Sequence, residues 1–403
     1  MHSYKAKLLC LLLNPKTCVC DHKQKFKDKI LLQQNDKCLP KRIAMTETSA
    51  STSRIKVIAG LGQQIWLDNL SRELLASGTL AAWIEDDGVA GVTSNPSIFF
   101  NAIQHDSAYQ AALPALKNAH ADPETRFEAL VLPDVQRACD LFAPLYANSD
   151  GRAGFVSFEV APRLAHDAAG TAAEAARLWA AINRPNAMIK IPATEAGIAA
   201  LEEAIFSGIN VNVTLIFGPR QLAGVQAAHR RGLARRLEAK LSVQRIASVA
   251  SVFISRVDAA VDALLPPSAA HLKGRAAIAH ARLAYRDFQA DNGFAVFTAF
   301  GATPQWLLWA STGTKDPALR DVTYVEELIG ADTVNTVPDA TLLAFRDHGH
   351  ARAALAEGAD EAQSVLTQLG RHGIDLDTIG NDLLSRGLTQ FAQAHVNLLA
   401  LLA

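Results

Sequence analysis

From about residue 54 the chain alternates short apolar runs with longer stretches in which apolar residues recur every three or four positions. That is the pattern of strand-helix-strand units built on a parallel sheet. One unit is particularly clear. Residues 154–160 read as a strand, Thr171 and Glu174 form a capping box opening a helix to about Ile182, Asn183 and Pro185 end it, and residues 187–192 are the next strand. Thr194 then caps a helix with Ile198, Leu201 and Ile205 on one face, and Gly208 closes it before a strand at 211–217. The same rhythm predicts strands at 65–70 and 89–95 upstream, and at 246–254, 306–311 and 333–337 downstream. Eight parallel strands with intervening helices in about 290 residues suggest an α/β fold, a single closed (β/α)8 TIM barrel.

A doubly wound open sheet is the alternative, but the chain lacks its glycine fingerprint. Gly60-Leu61-Gly62 has no third glycine and precedes its strand, and Gly313-Thr314-Lys315 lacks the upstream glycine of a phosphate loop. Beyond Pro338 no strand pattern recurs. Residues 361–369 and 378–402 have helical periodicity, which predicts extra C-terminal helices on the outside of the barrel, with Leu383, Leu384, Leu388, Phe391 and residues 398–402 facing the core.

Composition bounds this picture. The chain has 403 residues, 39 basic against 40 acidic, and 49% hydrophobic content, which excludes disordered and fibrous classes. The near-zero charge hides a partition. Residues 1–44 hold nine lysines and Arg42 against three aspartates, a net charge of +7, so the remainder carries −8 and only six lysines: Lys56, Lys117, Lys190, Lys240, Lys273 and Lys315. Cysteine divides in the same place, with Cys10, Cys18, Cys20 and Cys38 in the first segment and Cys139 alone in the rest. Residues 1–50 are therefore expected to be a disordered basic extension ahead of a barrel spanning 51–403, with Met45 as a natural start of the folded protein. The apolar run 8–13 is too short for a secretion signal, the spacing of the four cysteines does not suit zinc, and no segment has the length to span a membrane. A cytoplasmic enzyme is the expectation. The acidic body, and the reading of Arg230, Arg231, Arg235, Arg236 and Lys240 as a solvated helix face, argue against nucleic acid as a partner. His348 and His350, two apart, are expected at the surface and not as metal ligands.

The chemistry shows where polar residues interrupt apolar strands. Strand side chains alternate between faces, so in a barrel one parity points inward. Lys190 shares a parity with Met188 and Pro192 against Ile189 and Ile191. Ser157 and Glu159 oppose Phe158 and Val160, and Asn212 and Thr214 oppose Val213, Leu215 and Phe217. Asp68, Thr93, Asn95 and Ser251 join the inward set. Lys190 is its centre. A plain structural lysine would snorkel from a strand end or pair with Glu159; a functional one is a desolvated amine, nucleophilic toward a carbonyl. A touching carboxylate would hold the amine charged, so the catalytic arrangement is expected to place a water between Glu159 and Lys190.

The segments Asp68-Asn-Leu-Ser-Arg72, Thr93-Ser-Asn-Pro-Ser97, Phe158-Glu-Val160, Met188-Ile-Lys-Ile-Pro-Ala-Thr194, Asn212-Val-Thr-Leu-Ile-Phe217, Ser251-Val-Phe-Ile-Ser-Arg256 and Trp309-Ala-Ser-Thr-Gly-Thr-Lys315 together resemble the transaldolase family in its longer bacterial form. The likeness runs from about residue 55 to the C-terminus, with the motifs in the family's order. It implies a (β/α)8 barrel working in the pentose phosphate pathway without metal or organic cofactor; a monomer and a homodimer both stay open. The implied reaction moves a dihydroxyacetone unit from a ketose phosphate such as sedoheptulose 7-phosphate to an aldose phosphate such as glyceraldehyde 3-phosphate, giving erythrose 4-phosphate and fructose 6-phosphate. By the same resemblance Lys190 would form the Schiff base, Asp68 would handle the C4 hydroxyl proton, and Glu159 with Thr214 would hold the proton-shuttling water. Asn95, Asn212 and Ser251 would bind the three-carbon unit, and Arg256, Ser311 and Lys315 the phosphate. Shorter relatives carry an arginine closer behind that serine, and many have threonine where Ser94 stands. Two other functions stay open at this level: a lyase that protonates the carbanion and releases dihydroxyacetone, and a barrel that only binds sugar phosphates.

Overall fold

Each of the eight alternating apolar runs forms a strand, and consecutive strands pair in parallel until the last closes on the first. They are β1 (Gln63–Leu67), β2 (Gly91–Thr93), β3 (Phe155–Glu159), β4 (Ala187–Pro192), β5 (Val211–Ile216), β6 (Ser248–Phe253), β7 (Trp306–Ala310) and β8 (Thr333–Val337). Closure is made by β1 against β8 in the register Gln63↔Thr333 through Leu67↔Val337. This computed structural model describes residues 53–403, so the expected basic extension and its cysteines lie outside the described residues. Residues 53–403 belong to one compact unit. Among the described residues no helix is long and apolar enough to cross a membrane.

The inward residues change character along the barrel axis. Near the N-terminal ends of the strands Trp66, Phe155 and Met188 fill the interior. Gly91 makes room there, because a Cβ at that position would lie 2.7 Å from the Trp66 indole. Toward the C-terminal ends the same parity carries Asp68, Glu159, Lys190, Thr214 and Ser251. The closed, apolar end is a packed core, and the polar end is where a (β/α)8 barrel places chemistry.

Three expectations need correction. The helix after β3 spans Ala168–Ile182 and is capped by Asp167, whose carboxylate accepts from Gly170 N at 2.9 Å. Thr171 lies inside the first turn and donates instead to Leu164 O at 2.8 Å. An acidic cap four residues upstream displaced the capping box, whereas Thr194 does cap its helix as expected, accepting from Gly197 N at 2.8 Å.

The second correction concerns β5. Its pairing with β6 slips between Val213 and Ile216, so Ile216 takes the place opposite Val252 that a regular ladder gives to Leu215. Leu215 is the extra residue, in the left-handed region at φ 61° although fully buried. A β-bulge of this kind resets the parity of everything after it. Phe217 accordingly packs its ring 5.0 Å from Phe253, which lines the interior mouth, and does not share the face of Val213.

The third concerns the C-terminal region, helices Ala359–Arg371 and Leu376–Leu402. The first lies outside the barrel as expected. The second runs across the C-terminal ends of the strands, with Gly380 against the backbone of Gly218 and Gly387 against Leu215. Close approach at those two glycines sets its path.

Candidate active site

The polar end of the barrel encloses a cavity of about 230 Å³ lined by residues of seven strands or their ends, by helix Pro96–His105 and by Phe391 of the C-terminal helix. Lys190, 6% exposed, reaches into it from the middle of β4. Its Nζ donates to the Ser94 carbonyl at 2.9 Å and lies 2.7 Å from Glu159 Oε1. The direct ion pair replaces the expected intervening water. Its cause is the register of β3 and β4, which sets Glu159 directly opposite Lys190, so two buried opposite charges meet across one strand spacing. Burial raises the Glu159 carboxyl above its ordinary value, and the attraction of Lys190 opposes but does not cancel this.

Asp68 follows β1 and is tied to the sheet at both ends. Its amide donates to Val337 O at 2.8 Å, and its carboxylate accepts from Thr93 Oγ1 at 2.8 Å, which in turn lies 2.8 Å from Thr336 Oγ1. Thr214 projects into the cavity immediately before the bulge, and its Oγ1 is buried without a protein hydrogen-bond partner. A left-handed residue at the next position keeps Thr214 inward while the strand adjusts its register, which is the usual use of strain beside a site.

The amides divide in a way that strand parity alone does not reveal. Asn95 caps helix Pro96–His105, its Oδ1 accepting from Ile98 N at 3.0 Å, which leaves its amide N–H groups for the cavity it lines. Asn212 is fully buried below the cavity wall, donating to Ser157 Oγ at 3.0 Å and accepting from Ser251 Oγ at 2.7 Å. It therefore fixes Ser251, which does line the cavity.

Arg256 and Ser311 stand together at the rim. Arg256 lies in the first turn of the helix after β6, Ser255–Asp262, donates to Gln390 Oε1 at 2.9 Å and lies 5.5 Å from the Phe253 ring centroid. Burial pulls its guanidinium below its ordinary value, partly offset by the field of Asp68, so the cation lacks the water that would normally solvate it. Ser311, at φ 58°, pairs with Ser255 Oγ at 2.9 Å. Lys315 is not on this wall; it is exposed and lines the adjoining groove, with Arg256 and Arg386. Sequence reasoning missed the Ser94 carbonyl, Gln390 and Phe391. Backbone oxygens carry no sequence signal, and Phe391 in its helical stripe is indistinguishable from a core residue. On the face expected to be solvated, Arg230, Arg231 and Arg235 pair with Asp291, Glu202 and Glu203, whereas Arg236 is partly buried and donates to the Phe206 and Ser242 carbonyls. His348 is at the surface, against Asp321.

A buried strand lysine with a carboxylate beside it, under a mouth lined with hydroxyls and amides and rimmed by an arginine, defines a (β/α)8 enzyme of the lysine-bearing class. The chain belongs to the family described as Transaldolase/Fructose-6-phosphate aldolase, which matches residues 65–402. It is 48% identical over 352 residues to a protein named Transaldolase from Thiobacillus denitrificans, covering 86% of this chain and 98% of that one. Identity is 52% over 346 residues to a Transaldolase of Neisseria meningitidis serogroup C, covering 85% and 97%. It is 41% over 371 residues to a Transaldolase 2 of Nostoc punctiforme, covering 87% and 96%.

Proposed function

We propose that this chain is a transaldolase, moving a dihydroxyacetone unit from a ketose phosphate to an aldose phosphate through a Schiff base on Lys190. The observation that carries this reading is a buried lysine reaching from the middle of β4 into a cavity lined by Asp68, hydroxyls and an amide, with an arginine at its rim. A proton passes to Glu159, whose burial raises its affinity for one, and the free amine attacks the C2 ketone. Glu159 returns the proton to the carbinolamine oxygen, water leaves, and an iminium remains. Asp68 then accepts the C4 hydroxyl proton as the C3–C4 bond breaks, and the bonding electrons flow into the iminium to give an enamine. The first aldose phosphate departs. A second takes its place, its carbonyl carbon bonds to C3, Asp68 reprotonates the new hydroxyl, and water releases the product ketose.

The polar wall supports a hydroxylated ligand, because Thr214, Ser251 and Asn95 point unsatisfied or adaptable groups inward. The desolvated Arg256 supports an anionic one at the rim, with Ser311 beside it. Lys315 then acts from the adjoining groove, on a phosphate reaching past Arg256. A cytoplasmic setting is supported by Cys139, buried and free. The relatives named as transaldolases favour transfer over the lyase reaction.

Borohydride trapping with fructose 6-phosphate tests the chemistry. A mass increment on the peptide carrying Lys190 is expected, and it disappears in Lys190→Ala together with turnover. An untrapped enzyme, or an active Lys190→Ala, would overturn the mechanism. Free dihydroxyacetone, measured with and without erythrose 4-phosphate, then separates the activities: release that does not depend on the acceptor identifies a lyase.

A further inference from the structure

A second cavity lies behind the catalytic pair. It holds about 30 Å³ of free space and is walled by Phe99, Phe127, Phe158 and Leu178. Its polar margin consists of Glu159, His395 and Glu124, with Glu128 and Glu174 farther along. That volume takes about two waters. Lys190 lines the mouth cavity and not this one, while Glu159 lines this one and not the mouth. Ser94, whose carbonyl holds Lys190, also lines the side cavity, and Asn95 lines both. The ion pair thus sits in the partition between two spaces.

Exposure rises steadily away from that partition. The Glu159 side chain is 10% exposed, His395 12%, Glu124 34% and Arg163 58%. His395 Nε2 is 3.5 Å from Glu124 Oε1, buried and outside hydrogen-bond geometry, and Glu124 is held by Arg163 at 3.1 Å. Burial keeps the imidazole below its ordinary value despite Glu124, so near neutral pH it offers both a donor and an acceptor. Glu128 and Glu174 are paired with Arg177 and so are turned away from this role.

Resting on the Schiff-base reading above, we propose that the side cavity is the route by which Glu159 exchanges water and protons with solvent while a sugar phosphate fills the mouth, with His395 and Glu124 holding the water in transit. When the carbinolamine C–O bond breaks, the proton from Glu159 completes a water molecule. Substrate, Phe391 and Arg256 occupy the way out through the mouth, whereas the side cavity opens directly behind the carboxyl that made the water. Hydrolysis runs the same path inward. His395 is a positioning residue, acting through water on Glu159.

Oxygen exchange at C2 reads this path directly. Each round of Schiff-base formation and hydrolysis replaces the ketone oxygen with one from solvent, so loss of ¹⁸O from C2-labelled fructose 6-phosphate, without acceptor, reports the rate. Ala161→Leu, which fills the cavity, and His395→Phe, which removes its polar end, are expected to slow exchange by about tenfold or more. KM for fructose 6-phosphate should stay the same, and His395→Gln should restore most of the rate. Exchange at the wild-type rate in both variants, or a KM that rises in step with the loss, would overturn the proposal. If Ala161→Leu does not fold, the contrast between His395→Phe and His395→Gln decides. The wild type separates the two readings: no exchange and no borohydride adduct would sink the Schiff base itself, whereas exchange in all variants alike sinks only the side route.

Discussion

Glu159 and Thr214 bracket the nucleophile, and they differ in what removing them should cost. Glu159 is a buried carboxyl in contact with Lys190. Glu159→Gln keeps the shape but cannot carry a proton, so borohydride trapping should slow by roughly 10²–10⁴. A Gln variant trapped as fast as wild type would remove Glu159 from the proton path. Thr214 Oγ1, by contrast, has no protein partner despite its burial. A buried hydroxyl without a protein bond contributes little to folding. Thr214→Val, isosteric and apolar, is therefore expected to leave the melting temperature unchanged or slightly higher while lowering kcat. Loss of stability in that variant would show that the hydroxyl serves the fold. Both residues were legible from strand parity, as was Lys190, because one polar residue in an otherwise apolar strand is a strong signal. Whether Glu159 touches Lys190 or reaches it through a water was left open by the sequence. It depends on the register between strands that are close in space but separated by a helix in sequence.

At the scale of elements, the βα rhythm gave all eight strands, because apolar alternation bounded by caps and glycines is local information. What escaped it was non-local. The bulge at Leu215 has no mark in the run from Val211 to Ile216, and the parity rule fails there because it assumes an unbroken ladder. The course of the Leu376–Leu402 helix over the mouth follows from Gly380 and Gly387, seven apart and so on one face, and these read simply as weak helix formers. Their importance can be tested. A Cβ on residue 380 would lie 2.9 Å from Gly218 N, a backbone atom that cannot turn aside. Gly380→Ala must therefore lift the helix, at a cost of about 1–3 kcal/mol. Because Gln390 of that helix holds Arg256, KM for sugar phosphates should rise as well. Gly370→Ala is the matched control. It sits in helix Ala359–Arg371 with open space around it and should stabilise by roughly 0.5–1 kcal/mol, visible as a higher melting temperature at constant KM. Equal behaviour of the two variants would contradict the docking role of Gly380.

Across the whole molecule, buried titratable groups outside the site set how stability responds to acid. His229, stacked on Phe294, is pushed by burial down to about 3, and His280 down to about 4. Asp258, which accepts from Ala277 N and Tyr324 Oη at 2.8 Å each, is raised by burial to about 6. The signs oppose. A histidine whose folded value is depressed gives its full stabilisation above about 6.5 and loses it as pH falls toward the folded value, because the unfolded chain takes up the proton first. An aspartate whose folded value is raised does the reverse, giving its stabilisation below about 4 and losing it as pH rises toward 6. Between pH 6 and 4 these two histidines act against this one aspartate, so the three together contribute a loss on acidification of roughly one proton's worth, about 1.4 kcal/mol per pH unit. Urea midpoints measured in steps from pH 7 to pH 4 should fall accordingly. His280→Phe, at a ring with neither nitrogen hydrogen-bonded to protein, should flatten the slope, since one histidine then balances one aspartate. Asp258→Asn should lower stability throughout by weakening its two hydrogen bonds, and should steepen the slope by removing the opposing group. A wild-type midpoint that is flat over this range, or variants that move the slope the other way, would show that these three side chains do not govern the acid response and that the surface carboxylates do.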